Sequence, residues 1–485
     1  MSNNPNPHRN KLIPSSPREL SRRSTVLVER GLNSILAPRA RLVRLPTALS
    51  LGTLFIKDWT REAVDRISGP DWVELSKARG TVSVPAGKLL RLAVGTDGLV
   101  EDLSPLADLK PDDLQVLDLS STRFDFFQSR IYTRVNDDAL LFLKGLKELK
   151  ALNLANTSIR DLSYLPDFTN LEYLNLSGTN ITDLSYLPDL VSLKHLELDG
   201  TKLRVKSLKC LRRLRSLDYL SLGRISNRGL AHLEGLSLRT LYLDSSAIED
   251  EGLRHLQSLV KLQVLLLGGS KITNRGLAHL ADLLSLRTLF LDHTAIDDAG
   301  LAHLQSLVNL ESLLLSEAKI TDRGLAHLGG LSSLRCLKLD VTGISDAGLA
   351  QLRSLVNLEK LDLSKTEISD DGLTHLQPFV NLEELYLAGT KITGRGLFHL
   401  KLMKKLRWLN LSDTYIGDEA VIHLESLTGL IWLQLENTKI TDGCIWSLCQ
   451  LSTLKVLNVG KTSINQESIA KLSQMLPNCL IGSEC

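Results

Sequence analysis

LVNLESLLLSEAKITDRGLAHLGG, Leu307 to Gly330, is one copy of a pattern that recurs along most of this chain. In general form the pattern is LxxLxLxxTxITDxGLxHLxxL. Its first Leu falls at Leu262, Leu286, Leu310, Leu334, Leu358, Leu382, Leu406, Leu430 and Leu454, each 24 residues after the last. Self-similarity at a period of this length is the mark of a solenoid, in which each copy contacts only its neighbours.

Within one copy, the leucines of LxxLxL alternate with other residues as they would in a strand with one buried face. A small hydroxyl follows at Thr294, Thr342, Thr366, Thr390, Thr414, Thr438 and Thr462, with Ser246 and Ser270 in two copies and Ala318 in a third. A turn inside the coil needs side-chain partners for its backbone groups, so these hydroxyls are predicted to form a ladder from copy to copy. An aliphatic residue (Ile272, Ile296, Ile320 and their equivalents) then returns to the core. Pairs such as Thr321-Asp322 and Ser345-Asp346 are predicted to cap the short helical segment GLAHL. A single copy cannot bury its own apolar face, so stacking has to complete it.

These motifs resemble the leucine-rich repeat family, in the 24-residue form common in bacterial proteins, with Thr where Asn is usual. The resemblance covers about three quarters of the chain. It implies an α/β fold: a curved leucine-rich repeat solenoid with parallel strands on the concave face and short helices on the convex face. NTSIRDLSYLPDF and GTNITDLSYLPDL, in units of 22 residues, resemble the shorter internalin-like form and should be more extended than helical on the convex side. The family offers surfaces rather than one shared chemistry.

Four segments are expected: a basic, mostly disordered arm (1–57), an N-terminal cap with a degenerate first repeat (58–110), about 15 repeats (111–472) and a C-terminal cap (473–485). The arm follows from charge, because residues 1–50 hold nine Lys/Arg against Glu19 and Glu29. In the cap, DWTREAVDRIS and PDWVELSKA read as short helices anchored by Trp59 and Trp72, and Thr81–Val84 as an edge strand. Leu89, Leu92 and Val94 imitate the repeat core. Early repeats step from Leu114 through Leu149, Leu171, Leu193, Leu217 and Leu238 to Leu262, with lengths of 35, 22, 22, 24, 21 and 24. The long unit contains an insertion, FDFFQSRIYTR (Phe124–Arg134), whose Phe126, Phe127 and Tyr132 read either as a contact loop or as a lid on neighbouring repeats.

Enzymatic signatures are missing. Gly460-Lys461-Thr462 lacks the earlier glycine of a phosphate loop, and no nucleophile elbow or HExxH occurs. Eight histidines recur at one convex position (His232 to His423) with no matching column of ligands, so they read as repeat consensus rather than metal sites. The six cysteines show no ligand spacing. No cofactor is expected. Nor does any run reach the roughly 18 apolar residues of a membrane span. A cytoplasmic, monomeric protein is expected, with an organelle-targeted or exported effector as alternatives.

The concave strands carry the candidate site. Counting from the first Leu of each repeat, positions 3, 5, 7 and 8 lie off the core. They hold acids, among them Asp244 and Asp292, interrupted by Tyr219, Tyr242, Leu266, Phe290, Leu314, Tyr386, Trp408 and Trp432. Aromatic anchors within a polar rim suit a protein or peptide partner, possibly basic, with Tyr242, Leu266, Phe290 and Leu314 as an open apolar row. The expected function is a non-enzymatic protein-protein interaction scaffold. The alternatives are a substrate adaptor of a ubiquitin ligase or a secreted effector, for which RLPTALSLGTLF faintly echoes an adaptor-binding helix, and an anionic or nucleic-acid partner bound through the basic arm.

Overall fold

The structure is a computed structural model that describes residues 41–45, 52–58, 72–85, 88–94, 103–120, 135–244 and 246–482. The insertion with Phe126, Phe127 and Tyr132, the segment around Trp59 and most of residues 1–57 lie outside the described residues.

Among the described residues, nineteen strands form one open sheet. It starts with β3 (Val73–Lys77), β2 (Gly52–Asp58) and β5 (Lys88–Val94), where β2 lies antiparallel to both neighbours. From β5 onward the strands are all parallel, from β6 (Val116–Asp118) to β21 (Leu480–Gly482), each repeat giving three residues. A separate antiparallel pair joins β1 (Arg41–Leu45) to β4 (Gly80–Val84). The central Leu of every repeat strand faces its equivalent next door, as in Leu289, Leu313 and Leu337. Leu310, Leu313 and Leu315 are fully buried, and so are their counterparts along the coil.

The backbone is satisfied between repeats. The N–H groups of Glu311 and Ser312 both donate to the carbonyl of Arg287, at 2.7 and 2.9 Å. This kink keeps positions 2 and 3 out of the leucine core. At position 8 the chain turns through the left-handed region, as at Glu317 (φ 60°), Lys365 (φ 55°) and Val341 (φ 57°). There the Glu317 N–H reaches the Asp340 carbonyl at 3.0 Å.

The hydroxyl column behaves differently from the predicted ladder. Each Thr donates within its own repeat, three residues back: Thr294 to the Leu291 carbonyl at 2.7 Å and Thr414 to Leu411 at 2.6 Å. These bonds close turns. Links between repeats come instead from the Asp of the Thr-Asp or Ser-Asp pair. Asp322 accepts from the backbone N–H of Ser345 at 2.7 Å and from its hydroxyl at 2.6 Å. Asp298 treats Thr321 in the same way, and Asp346 treats Ser369. Neither Thr321 nor Ser345 caps its own helix.

In most repeats this bridge crowds the glycine that opens GLxHL. A Cβ at Gly348 would lie 2.4 Å from Asp322 Oδ1, inside the bridging carboxylate. Three repeats lack glycine there, with Ala420, Cys444 and Ser468: Asp418 and Asp442 still bridge beside Cys444 and Ser468, whereas the predecessor of Ala420 has Gly394 in place of the Asp. A Cβ on Gly394 would meet the Ala420 Cβ at 2.3 Å, so the two departures compensate each other.

The N-terminal region departs from expectation. Val73–Lys77, within PDWVELSKA, forms a strand rather than a helix because β2 offers it an edge to pair with. Gly80–Val84 is a strand, as predicted. Strands β1 and β2 begin inside the stretch read as an arm, and Leu45 and Gly52–Phe55 of RLPTALSLGTLF are extended rather than helical. Leu90 and Leu92, not Leu89, face the core, because β5 alternates strictly over seven residues and turns Leu89 towards Trp72. The 22-residue units carry only single turns, Leu165–Asp167 and Leu187–Asp189, on the convex side. At the far end a helix (Gln466–Met475) and β21 close the stack.

Candidate functional site

The concave face divides into three zones. In the first, the rings of Tyr173, His195 and Tyr219 stack at 4.4 and 3.7 Å, and Tyr242 meets Tyr219 edge-on at 5.1 Å. Glu197 organises them. It accepts from the Tyr173 hydroxyl at 2.7 Å and from Asn175 at 2.9 Å, and lies 3.0 Å from His195 Nε2. Burial first, and then nearby negative charge, pushes the Tyr173 and Tyr219 phenols well up, so they stay protonated. Of this stack the sequence pointed only to Tyr219 and Tyr242, since a His among tyrosines is not visible until the strands align. Nearby, Arg91 pairs with Asp118 at 2.6 Å, its guanidinium 5.2 Å from the Phe55 ring and 5.8 Å from Trp72.

The second zone corrects the open row. Leu266, Phe290 and Leu314 are each 3% exposed and Cys336 5%. They form a second apolar core on the concave side, with Tyr242 and Val264 packed against it. Strands about 4.8 Å apart bring same-position side chains into contact, and those contacts cover them. Burial also pushes the Cys336 thiol up to about 11, where it is inert as a nucleophile.

The acids beside this row are engaged. Asp244 Oδ1 accepts from the Gly268 N–H at 3.0 Å, and Asp292 Oδ1 from the Ser316 N–H at 2.9 Å. Both therefore hold turns. Desolvation against the strands, with like charge from Asp292 and Asp199, pushes the Asp244 carboxyl up to about 6, opposed by the Gly268 N–H. Asp292 and Asp362 are raised too, chiefly by desolvation.

The third zone remains accessible. Tyr386, Trp408 and Trp432 are half-buried, and Tyr386 and Trp432 lie 6.4 Å apart. Trp408 and Trp432 pair directly in register. Lys360 binds Glu384 at 2.5 Å and sits 5.3 Å from the Tyr386 ring, whose hydroxyl donates to Glu384 at 2.9 Å. Trp432 Nε1 is buried and donates to no acceptor among the described residues.

The convex histidines pair locally, for example His279 with Gln257 at 3.2 Å and His399 with Gln377 at 2.9 Å. Desolvation lowers the pKa of His232 and His399, which keeps them neutral. Among the described residues no group of His, Cys, Asp or Glu is placed to hold a metal, and no helix is long and apolar enough to cross a membrane.

Two family models match the chain: "Leucine Rich repeats (2 copies)" over residues 147–189 and "Leucine Rich repeat" over residues 354–376. No curated protein matches it. Among solved structures, an internalin of Listeria monocytogenes is 26% identical, over 60% of this chain and 82% of its own, with a TM-score of 0.50. A leucine-rich repeat protein of Leptospira interrogans is 20% identical over 78% of this chain and 97% of its own, with a TM-score of 0.53. TLR13, in complex with ssRNA13, is 21% identical over 77% of this chain and 64% of its own, with a TM-score of 0.52. The last two likenesses concern the fold alone.

Proposed function

Starting from a leucine-rich repeat protein, whose fold generally serves as a scaffold for protein-protein interaction, we propose that this one binds a protein or peptide on its concave face through Tyr386, Trp408 and Trp432. The observation that carries the reading is the open aromatic patch itself. Large aromatics with a polar tip dominate binding energy where a partner can bury them. The row of Leu266, Phe290 and Leu314 has almost no surface left to give, so it supports the face without contacting the ligand. Tyr219 and Tyr242 form a secondary contact area nearer the N-terminus.

The test is affinity capture on the full chain, identification of the bound protein, and titration of that purified partner against wild type, Trp408→Ala and Trp432→Ala. Equal affinities for all three would move the site off this patch.

A further inference from the structure

Beside the aromatic patch, position 2 of the repeats forms an edge on which acids and bases pair between neighbours, broken by Gln263 between Arg239 and Arg287 and by the succession of Glu359 and Glu383. Glu172 takes Lys194 at 2.5 Å and Lys150 at 3.7 Å. Asp218 takes Arg239 at 3.5 Å, Glu311 takes Arg287 at 2.6 Å, and Glu359 takes Arg335. After Glu383 the same position reads Arg407, Ile431 and Lys455, and the preceding loop adds Lys404 and Lys405. An open groove of about 700 Å³ results, in which these four cations face the single acid Glu383. The Lys404 and Lys405 ammoniums rest on neutral acceptors, the Ser426 carbonyl at 2.8 Å and Asn381 Oδ1 at 2.7 Å. Glu383 can neutralise one charge, so a surplus remains whichever cation it meets.

Arg407 and Ile431 immediately precede Trp408 and Trp432, so the groove runs along the flank of the patch. Arg407 and Lys455 stand two strands apart, about 10 Å at ordinary strand spacing. That distance suits negative groups a few residues apart on an extended chain. Where the sequence suggested a basic partner, the surplus charge has the opposite sign.

We propose that this groove is an anion-binding site for a peptide, taking a run of carboxylates or a phosphorylated side chain of the partner. The choice of partner rests on the concave-face reading; the anion chemistry rests on the groove alone. Charge-assisted contacts to Lys and Arg supply the recognition, with Arg407 able to grip an anion in two places.

Fluorescence anisotropy on the full chain tests it, with labelled hexaglutamate, a phosphoserine peptide and its unphosphorylated form at low and physiological salt. Ile431→Glu places an acid between Arg407 and Lys455, at a position where Glu311 and Glu359 are already accommodated. Ile431→Glu and Arg407→Gln are each expected to weaken acidic-peptide binding about tenfold, while Lys209→Gln, a charge removed elsewhere, leaves it unchanged. Melting curves confirm that each variant is folded. The tighter of the two acidic peptides identifies the source of the anion. Binding no stronger than the unphosphorylated control, or unaltered by Ile431→Glu, overturns the site. Single-stranded RNA outcompeting both peptides overturns the assignment to a peptide. Trp432→Ala separates the two readings, since it should spare hexaglutamate and weaken only the captured partner.

Discussion

The strands from Val264 to Lys338 and those from Lys360 to Gln434 share one backbone, one register and one leucine core, yet they present opposite surfaces. In the first group, position 5 holds Leu266, Phe290, Leu314 and Lys338, and the three apolar ones seal against one another and Cys336. In the second it holds Asp362, Tyr386, Asn410 and Gln434, with Trp408 and Trp432 beside them at position 3, and the face stays half-open. A repeat therefore sets where a side chain points, while the neighbouring repeats decide whether it is accessible. Apolar residues on the outer side of a solenoid become a binding surface only when their neighbours fail to cover them.

The sharpest way to break this contrast is Phe290→Ala. In the sealed zone it should behave as a core truncation and cost about 3 kcal/mol. The loss should appear as faster hydrogen exchange confined to the strands from Val264 to Lys338, because each repeat leans only on its neighbours. Partner affinity should stay as it is. Unchanged stability together with weakened binding would restore the row as a docking surface.

Trp432→Ala tests the other half. It should lower partner affinity by about 2 kcal/mol and barely shift the urea midpoint, the reverse of Phe290→Ala. The Tyr386 ring, 6.4 Å away, and the Lys360–Glu384 pair should keep the neighbouring strands ordered.

What the sequence could show depended on the kind of interaction. The leucine period was legible because it records a local alternation repeated without slip from Leu262 to Leu454. The turn chemistry was half legible. Thr and Asp marked the turn, but whether each side chain bonds within its repeat or to the next depends on stacking geometry, and Ser345 turned out to meet Asp322. VELSKA misled because its Leu, Lys and Ala favour helix, while the edge of β2 supplied hydrogen bonds that overrode propensity. Positions 3 and 5 were correctly placed on the sheet face. Their exposure was not legible, since the 3% left to Phe290 is set by Leu266 and Leu314 on other strands. The basic groove left a trace that could have been found: Arg407 and Lys455 share position 2 without an acid between them, and Lys404 and Lys405 lie just ahead of Arg407.

A smaller effect concerns the turn that leaves the sealed zone. Val341 is the β-branched residue among those held at positive φ, at 57°, where other repeats place Gly, Asn, Asp or an unbranched longer side chain. Val341→Gly should remove that strain and stabilise the protein by about 1 kcal/mol, after allowing for the entropy glycine adds to the unfolded chain. Urea denaturation reads the gain, and partner binding should not move. A loss of stability would mean that Val341 contributes contacts outweighing its backbone.

The smallest expected effect probes how far the sealed row desolvates its flank. Asp244 is raised to about 6 from an ordinary carboxyl value of 3.8, whereas at the other end of the sheet Lys461 bonds to Glu436 and holds its carboxyl below the usual range. A carboxyl with a raised folded pKa favours the fold while protonated. Its contribution is therefore complete below about pH 4 and is lost as pH rises through about 6. Asparagine mimics the protonated form and can still accept the Gly268 N–H through its Oδ1. Asp244→Asn should accordingly melt higher than wild type above pH 6, with the difference shrinking towards zero near pH 4. Because Asp244 is solvent-exposed, screening should keep the gain well under about 1 kcal/mol. Calorimetric melting of both proteins across this range isolates the one carboxyl, since every other titrating group is common to the pair. A difference that does not change with pH would show that Asp244 ionises as an ordinary surface carboxylate and that the row leaves its flank solvated.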